Sequence, residues 1–88
     1  MRGNFIGTSE NVLNGINLFL KSVKLKNANK DNFHLVHALV FSKQMTEQQV
    51  VEINVGLGDL YRSHGFYVLG GDTSSGQELS IFISTIAF

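Results

Sequence analysis

The chain has 88 residues, seven Lys and Arg against seven Asp and Glu, and no cysteine. That length bounds a single domain with a real but thin core. A formal net charge of zero gives no electrostatic case for nucleic acid or a membrane surface, and the missing thiols exclude disulfides and thiolate chemistry. No apolar run approaches the roughly 18 residues of a membrane span. The opening Met1-Arg2-Gly3-Asn4 lacks the apolar core of a signal peptide. The expected location is therefore the cytoplasm.

Residues 1–8 read as an arm with two large apolar residues, Phe5 and Ile6. Ser9 is a candidate helix cap with Glu10 in the first turn, where a carboxylate meets the positive end of the helix dipole. Val12, Ile16, Phe19 and Val23 recur at helical spacing, beside Leu13 and Leu20, which predicts a helix over about 9–24. Gly15 weakens it relative to alanine. Lys21, Lys24 and Lys26 suit the negative end of that helix. The polar run Lys26 to Asn32 reads as a loop. Phe33 to Phe41 is short, branched and aromatic, and predicts a strand. His34 and His37 fall on its opposite faces, which makes them poor joint metal ligands.

Thr46-Glu47-Gln48-Gln49 is a capping box opening a helix over about 47–64, with Val50, Ile53, Leu57, Leu60 and His64 on one stripe and Gly65 at its stop. Gly56 and Gly58 inside it suggest close packing against a sheet. Phe66-Tyr67-Val68-Leu69 reads as a buried strand. Leu69-Gly70-Gly71-Asp72-Thr73-Ser74-Ser75-Gly76 reads as a glycine-rich bend, followed by a strand from Glu78 to Phe88 in which Leu79, Ile81 and Ile83 alternate with Ser80, Phe82 and Ser84. The fold expected is α/β or α+β, a small mixed sheet of about three strands with two helices on one face, in the order helix, strand, helix, strand, strand. An apolar strand ending at Ile86-Ala87-Phe88 would recruit another chain if it lay at a sheet edge, so a homodimer through Glu78 to Phe88 is expected.

The bend is where chemistry concentrates. Asp72 offers a carboxylate to a hard cation, on backbone that glycines leave open to close approach. Other chemistries lack their parts. No Walker-type loop is present, the three histidines sit in no triad-like setting, and Asp31, Asp59 and Asp72 fall on three different elements. Asp59 and Arg62 form an ordinary helical i,i+3 pair. No aromatic residues interleave with a basic stripe.

The run from Val55 to Ser75, with His64-Gly65, the apolar Phe66 to Leu69 and Gly70-Gly71-Asp72-Thr73, resembles the thiamine-monophosphate kinases of the aminoimidazole ribonucleotide synthase superfamily. His37 to Lys43 is similar to that family's strand and following turn, with Phe41-Ser42 where a proline is expected. The resemblance covers about residues 35–88 and implies that the whole of 1–88 is a single partial domain, like the family's N-terminal one. It implies ATP and magnesium as cofactors and a small-molecule substrate, with no part for nucleic acid or a membrane. Gly71 and Asp72 would lie at the nucleotide phosphates, Asp72 would be the magnesium ligand, and Gly70, Thr73 and Ser74 would support the turn. It also implies a dimer formed by joining sheets. The family's paired N-terminal aspartates, its Asn-Leu-Ser-Asp motif and its second domain have no counterpart here. No catalytic residue can be assigned, and the expected protein is a fragment or truncated relative, inactive alone. The alternative is a non-catalytic, self-associating module that kept the fold. A Gly-Gly-Asp turn of diguanylate-cyclase type fits less well, because Thr-Ser-Ser follows Asp72 where that family has acid and aromatic residues.

Overall fold

Two amphipathic helices with narrow apolar stripes can cover one face of a small sheet and no more. The computed structural model describes all 88 residues and has this architecture. Its elements are β1 (Arg2–Ile6), α1 (Ser9–Lys26), β2 (Phe33–Ser42), α2 (Glu47–His64), β3 (Tyr67–Gly76) and β4 (Ser80–Ala87). The sheet runs β1-β4-β2-β3. β4 is antiparallel to both its neighbours, and β2 and β3 are parallel.

The helix limits follow local chemistry. The Thr8 hydroxyl, one residue before the expected Ser9, accepts from the Asn11 N–H at 3.2 Å. On α2 the capping box closes both ways: Gln49 N–H donates to Thr46 Oγ1 at 3.1 Å, and Thr46 N–H donates to Gln49 Oε1 at 2.8 Å. Gly65 ends the helix at φ +74°, a left-handed conformation glycine takes without strain. Val12, Ile16, Leu20 and Val23 of α1 and Ile53, Leu57 and Tyr61 of α2 are buried together with Leu35, Leu39, Phe41, Ile81 and Ile83 of the sheet. That is the single core, on one side of the sheet.

The mixed α/β class and the two covering helices are as expected, but there are four strands and the first element is a strand. The arm at residues 1–8 is edge strand β1, paired along β4 from Arg2↔Ser84 to Ile6↔Ser80. Phe5 anchors it, edge-on to Phe19 with ring centroids 5.5 Å apart. A Cβ at Gly15 would press on the Phe5 ring, so the glycine that weakens α1 makes room for β1. Gly56 also serves close packing, but between helices: its position faces Leu13 of α1. α2 runs unbroken past it.

The largest departure is the glycine-rich segment. Gly70–Gly76 is no bend. It is extended and pairs in parallel with Val36–Ser42, with one register shift at Leu35/Val36. β3 and β4 do not form a hairpin either, because β2 lies between them. The chain crosses the end of β2 through residues 77–79, held by the Ser42 hydroxyl donating to the Gln77 carbonyl at 3.2 Å. Of the expected buried run Phe66–Leu69, only Phe66 is buried, against Phe33. Tyr67, Val68 and Leu69 are exposed. The composition of a strand predicted pairing correctly, but the helices' stripes are used up on β2 and β4, and β3 is left without cover.

Candidate functional site

Asp72 stands in the middle of β3, level with Ala38 of β2, which is level with Phe82 of β4 and, beyond it, Asn4 of β1. Residues level with one another in a ladder share a face. Ile81 and Ile83 are buried under the helices, so Phe82 and this whole row lie on the uncovered face. Asp72 borders a shallow depression of about 440 Å³ there, with Val36, Ala38, Gly70, Phe82 and Ser84. The carboxylate is exposed and takes no part in the chain's one salt bridge, between Arg62 and Asp59.

The neighbouring positions divide by alternation. Gly70 and Ser74 share the face of Asp72, at Cα spacings of roughly 6.6 Å, two residues along a strand. Gly71 and Thr73 point the other way. Gly71 has its own local reason: a Cβ there would collide with the His37 carbonyl oxygen and imidazole, whereas one at Gly70 would meet nothing within 4 Å. No three His, Asp or Glu side chains converge anywhere in the chain. A magnesium ion at Asp72 would have one protein carboxylate and would draw its remaining oxygens from phosphate and water, a donor set that magnesium accepts.

His37 lies on the helix side, as alternation required, and its Nδ1 is 2.8 Å from the Tyr61 hydroxyl. Burial pushes the Tyr61 hydroxyl well above its ordinary value and pushes His37 below its own. The contact is a hydrogen bond between the protonated tyrosine hydroxyl and the imidazole. His34, on the other face, stacks on Phe88 with centroids 5.3 Å apart. Sequence reading missed the His37–Tyr61 pair, because residues 24 apart carry no spacing signal. It also missed Phe82 and Val36 as the floor of the depression, although the alternation Ile81-Phe82-Ile83 held that information. A second depression, of about 340 Å³, lies by Thr8, Ser42 and Gln49, but the side chains of all three are already engaged in helix caps and turns.

No protein-family model and no curated protein sequence matches the chain. Solved structures do. Thiamine monophosphate kinase from Aquifex aeolicus matches with a TM-score of 0.68 and 10% identity, over 99% of this chain and 32% of that one. HypE from E. coli, a hydrogenase maturation protein, matches at 0.75 and 13%, over 99% of this chain and 30% of that one. A HypE structure in complex with ATP matches at 0.75 and 11%, over 99% and 29%. The chain thus has the fold these proteins share. That fold does not single out the kinase, since HypE matches it as well. The chain spans about 30% of the length of these structures. No helix is long and apolar enough to cross a membrane.

Proposed function

We propose that the chain is an incomplete domain of an ATP- and magnesium-dependent enzyme of thiamine-monophosphate kinase type, able to hold nucleotide phosphates but not to turn over alone. The observation that carries this reading is the exposed Asp72 carboxylate on an uncovered edge strand beside a depression. Asp72 would hold magnesium. The outward backbone N–H groups of β3 around Gly70 and Gly71 are free, as on any sheet edge, and would meet phosphate oxygens. Ser74 adds a hydroxyl on the same face; Thr73, on the other, supports the strand. Bound magnesium would spread the charge of the polyphosphate, and the protein's share is positioning. The ATP held by one of the similar HypE structures supports the nucleotide. A cytoplasmic location belongs to the same reading. One carboxylate and about 30% of the length of the matching structures support incompleteness. Calorimetric titration with ATP and magnesium is expected to show saturable binding that Asp72→Ala abolishes, with no turnover of thiamine monophosphate. Turnover by the chain alone, or equal binding by the variant, would refute the reading.

A second reading rests on the uncovered face itself. Ile6, Val36, Phe82, Ile86 and Phe88 are exposed there. The edge pairing expected through Glu78–Phe88 is closed, because β4 is bonded on both sides by β1 and β2. What remains is face-to-face packing with a second copy. A two-fold axis along the strands lays β1 of each copy over β3 of the other, which sets Asn4 opposite Asp72 with Arg2 two residues along. On this reading Asp72→Ala weakens a dimer seen by light scattering, and neither protein binds ATP.

A further inference from the structure

The two helices end side by side at the end of the sheet away from their caps, and between them lies a depression of about 500 Å³. Lys21 and Lys24 of α1 and Arg62 and His64 of α2 line it, and no carboxylate does. The usual reason for basic residues here is the negative end of each helix. In this chain other groups already bond several of the carbonyls there. Asn27 donates to Val23 O from its backbone N–H at 3.1 Å and from its side-chain amide at 2.9 Å. Gly65 N–H donates to Arg62 O at 3.1 Å, and Phe66 N–H donates to Tyr61 O at 2.8 Å. The Ser63 hydroxyl takes Leu60 O at 3.0 Å. Neither lysine closes a helix.

The groups are also held in place. The Lys24 ammonium sits 4.2 Å from the centroid of the Phe33 ring. The His64 Nε2–H donates to Asn17 Oδ1 at 2.7 Å, which leaves Nδ1 free. Arg62 spends one guanidinium nitrogen on Asp59 and keeps the others. Burial, and then the charges of Lys21 and Lys24, hold the His64 imidazole below its ordinary value, so the ammonium groups and the ring share one local field.

We propose that this depression is an anion site for the phosphate or pyrophosphate group of a small phosphorylated molecule. Lys21 and Lys24 of α1 line the hollow together with Arg62 of α2, and several cationic side chains suit an anion with several oxygens better than a single carboxylate. Leu25 and Ala28 offer a short apolar wall to whatever carries the phosphate. The site lies on the helix side of the sheet, away from Asp72, and is independent of it.

The test is NMR titration of the His64 imidazole with inorganic pyrophosphate, against chloride at equal ionic strength. The expected result is a saturable shift of the ring signals and a rise in the His64 pKa, because the anion offsets the field of Lys21 and Lys24. Affinity should fall on the order of tenfold or more in the Lys21→Gln, Lys24→Gln double variant, the size of a lost charge-assisted contact. It should be unchanged in Asp72→Ala. Lys21 is exposed, so Lys21→Gln alone serves as the second variant should the double one fail to fold. A His64 titration identical in pyrophosphate and chloride, or equal affinity in the lysine variants, would overturn the proposal.

Discussion

β4 and β3 flank the same strand, β2, and meet opposite conditions. On β4 every second side chain, Ile81, Ile83 and Thr85, is sealed beneath the helices. On β3 no residue is buried, and its outer edge pairs with nothing. Both strands hold their backbones by the same ladder bonds, so the difference lies in side-chain cover. β4 carries the stability and β3 carries the accessible chemistry. A strand without cover tolerates glycines and a carboxylate that a covered strand would exclude, since a buried lone charge is costly.

The hardest way to break this contrast is through the core. Ile83→Ala is expected to cost about 2–5 kcal/mol, and Phe82→Ala, one residue along on the open face, less than about 1 kcal/mol. Urea denaturation measures both. Equal losses would mean that the open face is covered too, by a second copy. The next effect falls on β3. Gly71→Ala, which drives a methyl into the His37 backbone, should cost about 1–3 kcal/mol, whereas Gly70→Ala should cost close to nothing. Because β3 is uncovered, the damage should stay local: hydrogen exchange should speed up over residues 67–76 while β4 remains protected.

The smallest effect is one of pH. Folding holds His37 and His64 below their ordinary value, His37 through burial and His64 through burial and then Lys21 and Lys24. The folded state therefore favours the neutral rings. Their contribution is complete above the unfolded pKa of about 6.5 and is lost as pH falls from there through the folded values. The urea midpoint should accordingly be lower at pH 5 than at pH 7.5. Tyr61→Phe should change the NMR titration of His37 and leave that of His64 alone, which separates the β2 contact from the helix ends.

Much of this was legible in the chain. The helices were, because their stripes and caps are local: Thr46 and Gln49 bond to each other whatever surrounds them. β2 and β4 were visible through composition and alternation. β1 was not, because five residues with one half-buried ring have no period, and what makes them a strand is β4 beside them. Asp72 beside its glycines is legible in the sequence, but its setting is not. Gly-Gly-Asp-Thr-Ser-Ser-Gly has the composition of a turn, and only pairing with β2 makes it extended. The basic hollow was seen as three lysines at one helix end; Arg62 and His64 join it only because α2 ends alongside.

By itself, then, the amino-acid order determined where helices begin and end, which faces are apolar, and which acid and glycines stand together, since those depend on neighbours a few residues away. Tertiary structure decided that the glycine segment is a strand, that β4 is central instead of an edge, and which face stays bare. Strand pairing joins residues distant in sequence, and two helices have only enough apolar surface to cover one side.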